Sequence, residues 1–132
     1  MYLFLSFADR RYLARLVESS RTKEVCGFLL GRSVEEGFVV LEIYPVPNML
    51  DSAMAFEISP VDVFKVFDEA DRLSLEVIGV YHSHPAPPEP SGIDLRYMRV
   101  NPMVWLIISM LDGSMGAYYS RGEDFVKLEI IP

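Results

Sequence analysis

The 132-residue chain is poor in several residue types that are abundant in particular classes of protein. It has one cysteine, Cys26, so it cannot form an internal disulfide, and nothing in its composition indicates an oxidising compartment. No apolar run reaches the roughly 18 residues that a membrane-spanning helix needs. The apolar start "MYLFLSF" is followed, not preceded, by basic residues, which is typical of a strand and not of a secretory leader. We therefore expect a cytoplasmic protein that does not enter the membrane.

Basic residues are also scarce. The chain has 12 Lys and Arg against 19 Asp and Glu, which gives a net charge of −7. An acidic surface repels phosphate backbones, so nucleic-acid binding is excluded as a main function. The same charge favours a partner with a basic face, through steering of the encounter.

Hydrophobic residues make up 51% of the chain and charged residues 23%, a balance typical of a globular protein that can bury a core. At this length, and without internal repeats or low-complexity linkers, we expect a single domain over 1–132. Apolar segments bounded by turn residues predict strands, and apolar residues at helical spacing predict helices. The predicted strands are 2–7, 24–32, 38–46, 55–58, 76–84, 103–110, 116–121 and 125–131, and the predicted helices are 9–20, 60–74 and 92–98.

This order predicts an α+β fold with a mixed, mostly antiparallel sheet flanked by helices. The helix over 60–74 has the clearest start, because Ser59 can cap it and proline suits its first position. Phe64, Phe67 and Ala70 are predicted to form its inward-facing stripe, with Val63 alongside.

Both histidines of the chain lie in one stretch, "VYHSHPAPPEPSGIDLRYM". His82 and His84 are two residues apart on a predicted strand, so they point to the same face with Cα atoms about 6.5–7 Å apart. A proline-rich loop then leads to Asp94, and a stiff loop lowers the entropy cost of returning a ligand to the strand end. Two imidazoles and a carboxylate suit tetrahedral zinc with a position left for water.

The residues alone leave other interpretations open. A His-x-His pair can end a strand without binding metal, and Ser91 with Asp94 also forms an ordinary S-x-x-D capping box. Glu24 begins the apolar segment "EVCGFLLG", where a carboxylate is costly unless it has a partner or a use. It is either a catalytic base or the solvated end of that strand.

Together, "EVCGFLLG", "HSHP" and "PSGID" resemble the JAMM/MPN+ family of zinc metallo-isopeptidases, and the resemblance spans most of the chain. It implies the MPN (cytidine-deaminase-like) fold. It further implies that His82, His84 and Asp94 hold Zn²⁺ with water as the fourth ligand. Glu24 would be the general base and later the acid for the leaving amine, and Ser91 would stabilise the oxyanion. The loop before the aspartate is shorter than in many eukaryotic members and resembles that of archaeal, desampylase-like members.

The resemblance also implies a substrate, a ubiquitin-like modifier joined to a lysine side chain. One alternative is a non-catalytic MPN-type scaffold, although a scaffold has no need of the complete set Glu24, His82, His84 and Asp94. A second alternative is a zinc hydrolase that processes the C-terminus of a sulfur-carrier protein.

A modifier needs a surface to bind beside the metal. The segment "PNMLDSAMAFEI" corresponds to a substrate-facing insertion of the family. Its apolar side chains either bind the modifier or fold into the core of the domain. These side chains are Met49, Leu50, Met54 and Phe56. An exposed sheet edge would bind the modifier's tail as an added strand. Cys26, on the same strand face as Glu24, is either a small packing residue, a neighbour of the metal site or a former of intermolecular disulfides. The cysteine and the apolar helix residues are compatible with a homodimer.

Overall fold

The computed structural model describes residues 1–20, 22–50 and 56–132. The strands are β1 (Tyr2–Phe4), β2 (Cys26–Val34), β3 (Gly37–Val46), β4 (Glu76–His84), β5 (Val104–Ser109), β6 (Met115–Ser120) and β7 (Phe125–Ile131). The helices are α1 (Phe7–Glu18), α2 (Pro60–Leu73) and α3 (Gly92–Val100). No helix in the described ranges is long and apolar enough to cross a membrane.

The strands pair in the order β1-β3-β2-β4-β5-β6-β7, and the series closes because β1 pairs with both β3 and β7. Four of these pairs are antiparallel, whereas β1 with β3, β1 with β7 and β4 with β5 are parallel. The predicted α+β fold with a mixed, mostly antiparallel sheet is confirmed. The strand predicted over 55–58 is wrong as far as it is described, since residues 56–58 have no strand pairing.

The two faces of the sheet bury different clusters. One face, with Leu29, Tyr81 and Leu106, packs against Leu13 and Val17 of α1. The other face divides between two helices. Phe28 and Leu30 of β2 pack with α2, while Val80 of β4 and Trp105 of β5 pack with Met98 of α3. Because successive side chains of a strand point to opposite faces, these contacts place α2 and α3 on the same face of the sheet.

The predicted inward stripe of α2 is wrong in part. Phe64 is 73% exposed and Phe67 is 50% exposed, whereas Val66 and Ala70 are buried. Val63 packs partly against the same cluster as they do. Val63, Val66 and Ala70 have the spacing of one helix face, and that face packs on the sheet. Phe64 and Phe67 lie on the neighbouring face and are therefore exposed. Ser59 does cap the helix, since its hydroxyl accepts the Val61 amide at 3.2 Å.

Candidate metal centre and active site

The two histidines lie at the end of β4, on the face covered by α2 and α3. Their ring centroids are 5.7 Å apart, and both side chains are buried. His82 stacks on Phe56 with centroids 4.7 Å apart, and the edge of its ring packs against Trp105 at 6.0 Å. The predicted convergence of the pair is therefore present, and aromatic rings on two sides fix the first imidazole.

Asp94 reaches this pair from the first turn of α3. Its Oδ1 lies 3.0 Å from His82 Nε2, and its Oδ2 lies 3.9 Å from His84 Nδ1. The same carboxylate completes a capping box, in which Oδ2 accepts the Ser91 amide at 2.9 Å and Ser91 Oγ accepts the Asp94 amide at 3.1 Å. The two interpretations that the sequence left open are thus compatible, because the carboxylate caps the helix and faces the histidines at once.

The loop between His84 and α3 orients the second imidazole. His84 Nε2 lies 2.6 Å from the Pro87 carbonyl oxygen, which leaves Nδ1 facing Asp94. Tyr118 of β6 donates its hydroxyl to the Pro88 carbonyl at 2.8 Å. A Cβ at Gly116 would lie 2.3 Å from that carbonyl oxygen, so the loop needs glycine at this position. Sequence reasoning missed both β6 residues, because nothing in their local pattern connects them with the loop.

The three side chains form a group that could hold a metal ion, with one ligand atom from each within 4.8 Å of the others. All three are buried, and His82 Nδ1 is buried without a hydrogen-bond partner among the described residues. Burial opposes ionisation of Asp94, but hydrogen bonds from His82 and Ser91 outweigh it and lower the pKa of the carboxyl. The group therefore offers a cation two imidazole nitrogens and an ionised carboxylate.

Glu24 lies beside this group, just before β2, and Ser83 places it there. The Ser83 hydroxyl accepts the Val25 amide at 2.9 Å, and the Ser83 amide donates to the Val25 carbonyl at 3.0 Å. Because Ser83 separates the two histidines in sequence, these bonds fasten the residue after Glu24 to the centre of the His-x-His motif. The serine is fully buried, and this role was also missed from the sequence.

Glu24 is 3% exposed and lines the same pocket as the histidines. Burial and, to a smaller extent, the negative charge of Asp94 raise its pKa to about 8. A solvated strand end would not bury its carboxylate in this way, so that alternative is wrong for Glu24. A carboxyl with such a pKa is able to take up and release a proton near neutral pH.

The pocket is a cavity of about 130 Å³ with an apolar rim. Ser91 lines it, Ile93 and Tyr97 of α3 form part of its wall, and Phe56, which stacks on His82, forms another part. The rim and the buried polar residues at its base make a narrow site that has both apolar and ionisable contacts.

The residues predicted to bind substrate divide into three groups. Met49 and Leu50 are exposed, at 59% and 37%, so they do not fold into the core. Phe56 is half-buried in the pocket wall, and Met54 lies outside the described residues. The sheet edge expected beside the histidines is not found in the described chain, because β4 pairs with β2 on one side and β5 on the other.

Cys26 is 2% exposed and packs in the cluster beneath α2. Its Sγ lies 3.8 Å from the Val46 carbonyl oxygen, and burial together with the charge of Glu24 raises the pKa of the thiol to about 12. The interpretation of this cysteine as a small packing residue is confirmed, and a thiol so buried is not placed for an intermolecular disulfide.

The strand order, the His-His-Asp group and the neighbouring glutamate together define a JAB/MPN-type domain. The chain belongs to the family described as prokaryotic homologs of the JAB domain, which it matches over residues 9–120. It is 44% identical over 94 residues to a curated desampylase of Pyrococcus furiosus, an alignment that takes in 70% of this chain and 64% of the relative. The matched part is thus less than two thirds of that relative's length.

Solved structures share the fold. A protein of Desulfitobacterium hafniense superposes with a TM-score of 0.86 at 24% identity, over 98% of this chain and 91% of that one. A JAB1/MPN domain protein of Archaeoglobus fulgidus gives a TM-score of 0.59 at 20% identity, with both chains covered in full. At these identities the likeness establishes the fold alone, and it confirms the predicted MPN architecture.

Proposed function

We propose that this chain is a zinc-dependent isopeptidase that removes ubiquitin-like modifier proteins from lysine side chains. The observation that carries the proposal is the joint presence, in one pocket, of the His82–His84–Asp94 group and the buried carboxyl of Glu24. A scaffold has no use for a buried carboxyl with a raised pKa, whereas a hydrolase needs a base beside its metal. The identity of 44% to a desampylase supports the same substrate class.

The residues fit a zinc ion. Zinc accepts imidazole nitrogen and carboxylate oxygen, and its ligands in a tetrahedral site lie about 3.3 Å from one another. In this chain one ligand atom from each of the three side chains lies within 4.8 Å of the others, so the side chains converge on a common point and need only a small adjustment to reach that spacing. The contact of His84 with the Pro87 carbonyl is the outer hydrogen bond that metal-binding histidines commonly make. When bound, zinc supplies a Lewis acid that lowers the pKa of water to about 7, and a positive charge that favours the carboxylate form of Glu24.

Glu24 then moves the protons of the hydrolysis. Its carboxylate accepts one proton from the attacking water, and the protonated carboxyl returns it to the lysine amine as the carbon–nitrogen bond of the isopeptide breaks. The raised pKa of Glu24 supports this exchange, since a carboxyl whose pKa lies near neutral pH serves as either base or acid.

Ser91 is placed to donate a hydrogen bond to the oxyanion. Its Oγ accepts the Asp94 amide, which fixes the oxygen at the pocket wall and leaves the hydroxyl hydrogen to donate into the pocket. A fixed donor of this kind is worth about 3 kcal/mol in the transition state.

The pocket suits a narrow, flexible chain end better than a bulky side chain. Its volume of about 130 Å³ and its apolar rim favour the glycine-rich C-terminus of a modifier. The exposed Met49 and Leu50 lie on the segment leading to the pocket wall and would contact the body of the modifier. We also propose that residues 1–132 form one domain, which the pairing of β1 with β7 supports because it joins the first and the last strand in one sheet. We propose that this domain acts in the cytoplasm.

Cleavage of a defined conjugate tests the proposal. Purified protein is incubated with a ubiquitin-like modifier joined to a lysine side chain, with zinc, with a chelator, and with zinc restored. We expect cleavage that the chelator abolishes and zinc restores, and only a small residual rate for Glu24→Gln, which should retain zinc on elemental analysis. Cleavage that survives the chelator would overturn the metal mechanism. Cleavage confined to a modifier extended by one C-terminal residue would instead identify a carrier-processing hydrolase.

A further inference from the structure

Asn48 contacts two parts of the chain that line the site without supplying a metal ligand, the peptide after Glu24 and the residue after Phe56. It is buried between them, at 8% exposure. We propose that Asn48 is a positioning residue that fixes the backbone of Glu24 and the wall residue Phe56 relative to the metal group. The catalytic part of this inference rests on the proposed isopeptidase function, whereas the structural part does not.

The first contact reaches Glu24. Asn48 Nδ2 donates to the Glu24 carbonyl oxygen at 3.0 Å, across 24 residues of sequence. On the other side of the same peptide unit, the Val25 amide donates to Ser83 Oγ. The peptide that carries the Glu24 carbonyl is therefore held from two directions, by Asn48 and by the serine between the metal-binding histidines.

The second set of contacts reaches the wall of the pocket. Asn48 Oδ1 accepts the Leu50 amide at 2.9 Å and the Glu57 amide at 3.0 Å. The Met49 amide also donates to the Glu57 carbonyl at 2.8 Å, so a backbone hydrogen bond holds the same two segments together. Glu57 follows Phe56, whose ring stacks on His82. The asparagine side chain thus fixes the base of the segment that packs against the first histidine.

Only a side chain with both a donor and an acceptor group at this length satisfies these partners. Asparagine offers a carbonyl oxygen with two lone pairs and an amide nitrogen with two hydrogens. Aspartate keeps the acceptor but sets a negative oxygen against the Glu24 carbonyl, and alanine removes both groups. The two substitutions therefore separate the Glu24 contact from the Phe56 contact.

The kinetic effect should appear in turnover. We expect Asn48→Asp to lower kcat by about 10- to 100-fold, because groups that orient an active-site residue have effects of that size. KM and zinc content should change little, since Met49, Leu50 and the metal group keep their contacts. Asn101→Asp is the matched control: Asn101 Nδ2 donates to the Tyr97 carbonyl at 2.9 Å, so the same chemical change is made at an exposed helix end.

A double variant distinguishes positioning from general damage to the fold. If Asn48 acts through Glu24, then Asn48→Asp in a Glu24→Gln background lowers the residual rate by less than about twofold. A 10-fold or greater loss in that background, equal to the loss in the wild-type background, would overturn the positioning role.

A measurement on the metal-free protein decides the structural part without any substrate. By NMR, Asn48→Asp should move the Val25 amide resonance, which reports on the Glu24 peptide, and keep the contacts between the Phe56 and His82 rings. Asn48→Ala should change both signals. Unchanged signals in both variants would refute the inference even if the enzyme is active. Failure of wild-type protein to cleave any conjugate would refute the proposed function, and the NMR result would then decide the inference alone.

Discussion

Replacing Glu24 by glutamine should stabilise the metal-free protein, and the size of the gain should depend on pH. The pKa of this carboxyl rises from 4.5 to about 8 on folding, because burial and the charge of Asp94 oppose its ionisation. Below pH 4.5 the group is protonated in both the folded and the unfolded chain, and it has no effect on stability. As the pH rises from 4.5 to about 8, the unfolded chain releases the proton first, so the wild-type protein loses stability over this range. Above pH 8 the loss stays constant.

The expected magnitude follows from that rise in pKa. At 1.36 kcal/mol per unit, the ceiling is about 5 kcal/mol. The carboxyl faces a pocket that solvent enters, so screening reduces the effect, and we expect a gain of about 2 kcal/mol for Glu24→Gln at pH 8. Glutamine keeps the shape of the side chain and removes its charge, so packing around the pocket should be retained.

Urea denaturation of chelator-treated protein between pH 4 and pH 9 measures this difference. Glu57→Gln is the control, because it makes the same change at an exposed residue of the pocket segment, and it should stay within about 0.5 kcal/mol of the wild type at every pH. Equal stability of Glu24→Gln and wild type at pH 8, or a less stable variant, would mean that the ionised carboxylate has a stabilising partner in the folded chain. Glu24 would then not be a carboxyl whose ionisation destabilises the folded chain.

Three further predictions concern the supports of the site and the core. Ser91→Ala and the matched cap variant Ser59→Ala should each lower the free energy of unfolding by about 1 kcal/mol. Only Ser91→Ala should also lower turnover, by about 10²-fold, and equal turnover in the two variants would mean that Ser91 does not stabilise the oxyanion. Gly116→Ala should displace the proline loop, lower stability by about 1–3 kcal/mol and weaken zinc binding in a competition titration, whereas unchanged affinity would mean that the loop does not orient its histidine. Val66→Ala should cost about 2 kcal/mol in urea denaturation and the larger truncation Phe64→Ala less than about 0.5 kcal/mol; the reverse order would restore the stripe predicted from sequence.

The local features of this protein were predictable from sequence, and its long-range contacts were not. The His-x-His strand and the capping box at Ser91 depend on neighbouring residues and are present as predicted. The closure of the strand series through β1 depends on two parallel pairings of a three-residue strand, and nothing in those residues specifies their partners.

The errors at α2 and the omissions at the site have physical causes of the same kind. Helical spacing alone fits two neighbouring stripes on α2, and the choice between them depends on how the helix is rotated against the sheet, which residues distant in sequence determine. Asn48, Ser83 and Gly116 act through backbone groups distant in sequence, so no spacing rule indicates them. The motif was therefore enough to predict which side chains come together, whereas the residues that hold them in place could be identified only from the fold.

The double use of Asp94 has an evolutionary consequence. Selection for a stable α3 alone would keep the Ser91 and Asp94 pair in a descendant that had lost its activity, because the pair stabilises the start of the helix. Glu24 is the opposite case, since a carboxyl that is buried near the negative charge of Asp94 lowers stability and should be lost soon after the proposed activity is lost. Among homologues, an S-x-x-D sequence is therefore weak evidence of a working enzyme, and a retained glutamate before β2 is strong evidence.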